Sequence, residues 1–148
     1  MLTTAPSSAR NTTTRRITHP NVLWTGVVAG AVAAVATTVV AAIAKGVDVP
    51  VTIEHQPIPV AGFASLTFVC ALLGTGIAAV VGRRSHRARA WFIRVAVALT
   101  VLSFVPDLTA DTDTATRVTL ITTHIVAALV VIPALSRRLT TTGDVNNN

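Results

Sequence analysis

The sequence GRRSHRARA, residues 82–90, separates two long apolar runs in a chain of 148 residues. It places four arginines in one short connection: Arg83, Arg84, Arg87 and Arg89. Arginines concentrated in a short loop between apolar spans hold that loop on the cytoplasmic side of a membrane, which is the positive-inside rule. These arginines therefore set the topology, with one helical hairpin before the loop and a second after it.

The composition is typical of a membrane protein. Hydrophobic residues make up 51% of the chain and charged residues only 12%, whereas charged residues form about a quarter of a soluble domain. The net charge of +6 comes from basic residues that flank apolar runs, while nucleic-acid-binding domains gather such residues on one polar face. We therefore expect the lipid bilayer as a partner, and no nucleic acid.

Four apolar runs predict four transmembrane helices, at residues 22–44, 60–81, 91–107 and 114–135. The first has no charge over 23 residues, and at about 1.5 Å per residue it reaches roughly 35 Å, enough to cross a bilayer core of about 30 Å. Its Ala42-Ile43-Ala44 sequence resembles a signal-peptidase site, but signal peptides have shorter apolar segments. The third run is the shortest and includes Arg94, whose side chain we expect to extend to the headgroups.

Polar segments flank these runs. Residues 1–21 and 139–148 are rich in Ser, Thr or Asn and predict two disordered cytoplasmic tails around a domain at residues 22–138. Residues 45–59 contain three prolines, which do not fit a helix interior. Apolar residues alternate in this connection, at Val47, Val49, Val51 and Ile53. The alternation favours a short extended or β-like loop outside the membrane, with an irregular loop as the alternative.

The charge distribution agrees with one orientation of this bundle. Nine of the 12 basic residues lie before the first run, in the 82–90 loop or after the last run, while five of the six acidic residues fall within or at the edge of the two connections on the opposite side. Both termini are then cytoplasmic, and the helices cross the plasma membrane four times. The predicted fold class is all-α, a four-helix transmembrane bundle built from two helical hairpins.

Small residues recur every four positions in the first two runs. Gly26, Gly30 and Ala34 form one such series, and Gly74 and Ala78 belong to a second that begins at Cys70. Stripes of small side chains let helix backbones approach closely in a membrane. We expect the two stripes to pack against each other inside the bundle, with homodimerisation as the alternative.

Several short motifs resemble a known family. The first run opens with Trp24 and Gly26, the second is entered through PIPVAG at residues 57–62, and VPDL at residues 105–108 precedes Ala110-Asp111 and a histidine in the last helix. Over residues 24–135 the chain resembles a family of small actinobacterial four-helix membrane proteins known only as a domain of unknown function. The resemblance implies an integral membrane protein and brings no activity, substrate or site residue.

The candidate functional polar residues are His124, Asp107, Asp111 and Arg94. His124 lies inside the last run, where an ionisable side chain is a functional hypothesis by default. Asp107 and Asp111, or hydroxyls of Ser103, Thr122 and Thr123, are its expected partners. A His and Asp pair could carry protons or a polar solute, or hold a metal or haem; the structural alternative is a neutral histidine that holds the helices in register.

The acidic residues of the two connections outside the membrane could hold a cation. Asp107, Asp111 and Asp113 would act with Glu54 and His55, since hard cations prefer clustered carboxylates. Their spacing matches no calcium-binding loop, and helix capping explains the aspartates equally well. We expect no metal site and no cofactor.

No catalytic motif is present: the chain has no G-x-S-x-G, no HExxH, no Walker glycine loop and no paired carboxylates inside a span. We therefore expect a protein that is not an enzyme and serves as a structural or interaction subunit of a membrane complex. Its partner would be a second copy or another membrane protein. The alternative is an oligomeric transporter or channel protomer that uses His124.

Overall fold

A computed structural model describes residues 20–53, 56–85 and 87–139. Four helices make up most of this part of the chain: α1 (Pro20–Gly46), α2 (Val60–Arg84), α3 (Ala88–Thr109) and α4 (Thr114–Ser136). Each of the four is long and apolar enough to cross a membrane. The predicted all-α bundle of two hairpins is therefore confirmed. The predicted tails fall almost entirely outside the described residues.

The bundle has two ends that differ in composition. The arginine end carries the α2–α3 connection, the start of α1 and the end of α4. The hairpin end carries the α1–α2 and α3–α4 connections. Buried side chains form one core near each end: Val22, Ala78, Ala88, Phe92, Leu135 and Leu139 at the arginine end, and Ala41, Ala44, Val51, Phe63 and Leu120 at the hairpin end.

Helix α3 is longer than the sequence indicated. It was predicted at residues 91–107, but it begins at Ala88 and continues to Thr109, which gives 22 residues or about 33 Å. Arginine and alanine are good helix formers, so residues near the arginine-rich stretch extend the flanking helices. Arg83 and Arg84 form the last turn of α2, where cations complement the free carbonyl groups.

The α1–α2 connection contains a small antiparallel hairpin, so its predicted extended form is confirmed. Strands β1 (Thr52–Ile53) and β2 (Gln56–Pro57) pair with Thr52 opposite Pro57. Val51 precedes β1 and is fully buried in the hairpin-end core, although its φ of 43° is unusual for a β-branched residue. The hydroxyl of Thr112 donates a hydrogen bond of 2.6 Å to the carbonyl oxygen of Thr52 and so joins the two connections of this end.

Helices α1 and α2 approach closely at two glycines of α1. A Cβ atom added at Gly26 would overlap the side chain of Thr75, and one added at Gly30 would lie 3.0 Å from the Cβ of Ala71. Farther along the same interface, the hydroxyls of Thr37 and Thr67 are 3.0 Å apart. The structure thus places Gly26 and Gly30 inside the bundle, with Ala34 also buried.

The face that α2 presents to α1 differs from the predicted one. Gly74 was expected at the interface, but a Cβ added there would meet no atom of another helix within 4 Å, and Cys70 is exposed. The buried residues of α2 are instead Phe63, Ala71, Thr75 and Ala78. Because Thr75 fits over Gly26, the helix is turned so that Gly74 points away from α1. The prediction that Gly74 packs between the two helices was wrong, whereas Ala78 is completely buried.

Candidate functional site

A groove of about 650 Å³ lies between α2 and α3, with α4 as its floor. It exists because α1 packs mainly on α2 and α4, while α2 and α3 contact each other much less. Along α3 its wall extends from Phe92 to Asp107, or about 22 Å at the helical rise per residue. The groove therefore covers roughly two-thirds of a bilayer core of about 30 Å.

The two halves of the groove differ in polarity. The half toward the arginine end is lined by apolar side chains, including Ile77, Phe92, Val95, Val131 and Ile132. The half toward the hairpin end carries the polar groups, namely Thr67, Thr100, Ser103, Asp107, Thr123 and His124. The hydroxyls of Thr100, Ser103 and Thr123 bond to carbonyl groups of their own helices. Among the residues that the structure describes, Asp107 and His124 supply the carboxyl group and the imidazole of the polar half.

Asp107 and His124 come together across the α3–α4 interface. The Oδ2 atom of Asp107 lies 2.9 Å from Nδ1 of His124. The same Nδ1 atom lies 3.0 Å from the carbonyl oxygen of Leu120, one helical turn away. The ring of Phe104 meets the imidazole edge-on at 6.2 Å between ring centroids. His124 is therefore held by groups from two helices.

The carboxylate of Asp107 is buried, and its contact with His124 is not a well-aligned hydrogen bond. Its side chain is only 9% exposed, and Oδ2 has no aligned donor among the described residues. A neutral imidazole has at most one hydrogen on Nδ1, and the geometry of that atom satisfies a hydrogen bond to Leu120. The 2.9 Å approach of Nδ1 to Asp107 is therefore a polar contact without hydrogen-bond alignment, and Oδ2 can still accept a hydrogen bond from a further donor.

The other acidic residues of this end lie outside the groove. Asp111 is exposed in the α3–α4 connection. Asp113 is the N-cap of α4: its carboxylate accepts hydrogen bonds from the hydroxyl of Thr116 at 2.6 Å and from the backbone N–H of Thr116 at 3.0 Å. These bonds, the hydroxyl first, lower the pKa of Asp113 below its ordinary value.

The cation site considered from the sequence is not assembled in the described part of the chain. Glu54 and His55 lie outside the described residues. Within residues 20–53, 56–85 and 87–139, no three His, Cys, Asp or Glu side chains could hold one metal ion. Of the three acidic residues that the sequence grouped with Asp107, the structure describes Asp111 and Asp113, and Asp113 is the N-cap of α4.

Two arginines within the spans lie outside the groove. Arg94 is exposed toward the arginine end, with its guanidinium 5.9 Å from the centroid of the Trp91 ring. Arg117, near the start of α4, donates a hydrogen bond of 3.4 Å to the carbonyl oxygen of Ala110. Its buried Nε has no partner among the described residues. The arginines of the α2–α3 connection, Arg83, Arg84, Arg87 and Arg89, are exposed at the arginine end.

The sequence identified the two polar residues of the site but not the groove that holds them. Leu66, Leu99 and Gly74 line it, and nothing in a uniformly apolar helix distinguishes a groove wall from a lipid-facing surface. The one feature of the sequence that could have indicated the groove is the series of small residues on α2. Its members Cys70 and Gly74 do not face α1 but line the groove.

A family model matches residues 17–141, and its description is a family of unknown function, DUF6069. The chain belongs to DUF6069. The matched region of this DUF6069 member includes all four helices, the hairpin and the groove. No curated protein and no solved structure matches it. DUF6069 membership brings no known activity, and the four apolar helices fit a small membrane protein.

Proposed function

We propose that this DUF6069 member is not an enzyme and acts as an interaction subunit of a membrane complex, in which the groove between α2 and α3 receives a transmembrane helix of a partner protein. The observation that carries the proposal is the groove itself. It is long enough for about four turns of helix, and it opens between two helices that are both apolar enough to lie in a bilayer.

The surfaces used inside the bundle support this choice of interface. Gly26 and Gly30 form the GxxxG motif that could have mediated a homodimer, but Thr75 and Ala71 already cover them. Small residues also line the groove, where they are not covered: Gly62, Cys70, Gly74, Ala96, Ala127 and Ala128. Small side chains let a further helix approach closely, and van der Waals packing of this kind drives helix association in lipid.

The proposed orientation follows from the positions of the charges. The arginines of the α2–α3 connection lie at the end of the bundle where α1 begins and α4 ends. By the positive-inside rule this end faces the cytoplasm of a cell whose plasma membrane the four helices cross. The polar half of the groove then lies in the outer part of the bilayer.

Photo-crosslinking in native membranes tests the proposed interface. A benzophenone amino acid at Leu99, in the groove, should give a discrete protein adduct, whereas the same probe at Val35 should not, because Val35 is 65% exposed on α1 and lies outside the groove. Gly74→Leu should abolish the adduct. A leucine side chain fits there without disturbing the bundle, and it would fill part of the groove and block the partner helix. Gly76→Leu is the matched control, since Gly76 also has open space but does not line the groove. Equal adducts at both probe sites, or an adduct that survives Gly74→Leu, would contradict the proposal.

The contact between Asp107 and His124 favours a second candidate function, an oligomeric transporter or channel protomer that uses His124. Chains of Asp and His side chains within a membrane serve as proton relays in pumps and transporters. Proton flux into liposomes that contain the purified protein tests this candidate. Flux that is present in the wild type and lost in His124→Ala would favour transport over the interaction subunit.

A further inference from the structure

Asp107 is a buried acceptor in the polar half of the groove. Its side chain is nine-tenths buried, it lines the groove, and its Oδ2 atom has no aligned donor among the described residues. A carboxylate at membrane depth is costly unless another group pairs with it, and such residues are found with a partner of opposite charge or a hydrogen-bond donor. Asp107 therefore has an unused capacity to bind a donor.

The described charges of the chain do not provide this donor. His124 contributes one Nδ1 atom, and that atom also bonds to Leu120. Arg117 on α4 bonds to Ala110 and makes no ion pair with Asp107. Arg94 lies 13 residues before Asp107 on α3, about 20 Å toward the opposite end, and α2 carries no charge before Arg83. Lys45, in the last turn of α1, is exposed and makes no ion pair with Asp107. The remaining direction of approach is the open groove.

We infer that the partner helix in the groove carries one lysine or arginine near the hairpin end, and that this side chain pairs with Asp107. The inference rests on the proposed function, because it names the chemistry of the same occupant. The polarity of the groove supports it: the basic residue meets the polar half, and the apolar remainder of the helix lies against Ile77, Phe92 and Val131. A basic side chain also matches the buried carboxylate in charge, as neutral donors do not.

Designed helices test this inference with the full-length protein in liposomes. One peptide is a 22-residue leucine–alanine helix with a single lysine about one turn from the hairpin end and a cysteine at the depth of Cys70. Cys70 is the one cysteine of the chain, it is exposed, and it lines the groove. The yield of the disulfide between peptide and protein under a thiol redox buffer therefore reports occupancy. The matched peptides replace the lysine with leucine or move it to the opposite end.

The lysine peptide should form the disulfide about tenfold more readily than either matched peptide, which is the effect expected of one polar contact within a membrane. Asp107→Asn should remove this preference, because it keeps the shape of the side chain and loses its charge. Asp111→Asn, in an exposed aspartate outside the groove, should leave it unchanged. If Asp107→Asn unfolds, His124→Gln, which retains Asp107, should keep the preference for the lysine peptide.

Each other outcome overturns the inference in a distinguishable way. Equal disulfide yields for the lysine and leucine peptides would reject the basic residue on the partner helix, but they would still be compatible with a helix in the groove. Failure of every peptide to react would reject the proposed function as well. A Cys70–Cys70 disulfide between two copies that excludes the peptides would assign the groove to a second copy of this chain. If a single-chain alkylamine at low mole fraction in the bilayer abolished the disulfide with every peptide, the groove would be assigned to a lipid.

Discussion

The Nδ1 atom of His124 lies 2.9 Å from Oδ2 of Asp107 and 3.0 Å from the carbonyl oxygen of Leu120. One ring nitrogen therefore faces two acceptors, one on α3 and one on its own helix. The contact joins the second helical hairpin at a point where α3 has few other neighbours, because α2 and α3 diverge around the groove.

The contact between Asp107 and His124 should appear as a coupling in a double-mutant cycle. Asp107→Asn and His124→Ala should each destabilise the protein, and the double variant should be less destabilised than the sum by about 0.5–2 kcal/mol. Equilibrium unfolding in mixed micelles measures the four free energies of unfolding. Asp111→Asn combined with His124→Ala should be additive, because Asp111 is exposed and makes no ion pair with His124. A coupling near zero for the first pair would contradict the contact.

Gly26→Ala should destabilise the α1–α2 interface. The added Cβ would overlap Thr75, and overpacking of a tight interface costs about 1–3 kcal/mol. Gly76→Ala is the matched control, since a Cβ added there would meet no atom of another helix within 4 Å, and alanine is the better helix former. Thermal unfolding in detergent should show a lower Tm for Gly26→Ala and no decrease for Gly76→Ala.

A second substitution tests the cause of that loss. Thr75→Ala removes the hydroxyl and the methyl group that overlap the new Cβ, but it keeps its own Cβ at 2.7 Å. It should therefore restore part of the stability lost in Gly26→Ala. If it restores none, the loss does not come from the contact with Thr75.

The cap of α4 should make stability depend on acid pH. The pKa of Asp113 is lowered in the folded protein by its hydrogen bonds with Thr116, whereas its value in the unfolded chain is about 3.9. The carboxylate therefore contributes its full stabilisation above about pH 4, and this contribution is lost as the pH falls through the lower pKa of the folded state. As the pH is lowered from about 5 to about 3, the Tm of Asp113→Asn should fall less steeply than the Tm of the wild type, because asparagine still caps the helix but does not titrate. Asp111→Asn should keep the wild-type slope.

The bond between the two connections of the hairpin end should protect the β hairpin. Thr112→Val removes the hydroxyl that donates to Thr52, which should cost about 1 kcal/mol. Hydrogen exchange of the Ile58 amide, which donates to the carbonyl oxygen of Val51, should become faster. Thr109→Val is the control, because the Thr109 hydroxyl bonds to its own helix, and it should leave this amide unchanged.

The orientation should depend on the arginines of the α2–α3 connection. Reporter fusions to the two termini should both be active in the cytoplasm, and fusions within residues 47–51 should be active on the opposite side. Replacement of Arg83, Arg84, Arg87 and Arg89 by glutamine should produce a mixed orientation. Termini on opposite faces of the membrane would exclude a bundle of four crossings.

The number, order and pairing of the helices could be predicted from the sequence because uncharged length and the position of arginines determine them. Asp107 could also be named as a partner of His124, since both belong to the second hairpin. The error at the start of α3 has a local cause: Ala88 and Arg89 favour helix as much as the apolar residues that follow.

The rotation of α2 and the groove could not be predicted in the same way. A transmembrane helix that is apolar on every side has no polar face to show which side is buried. Which of Gly74 and Thr75 meets α1 depends on the fit between Thr75 and Gly26, which is a property of two helices together. The groove follows from that rotation, because the turn that brings Thr75 to the interface directs Gly74 toward α3.

The groove lies between α2 and α3, so the helix that we propose as its occupant would reach it by diffusion in the plane of the bilayer and would not enter water. Its occupancy is then governed by how many molecules share a unit of membrane area, not by their concentration in solution. Reconstitution at a higher ratio of lipid to protein should empty the groove at constant bulk concentration. Expansion or crowding of the membrane would therefore change the fraction of paired molecules without any signal that acts on the protein itself.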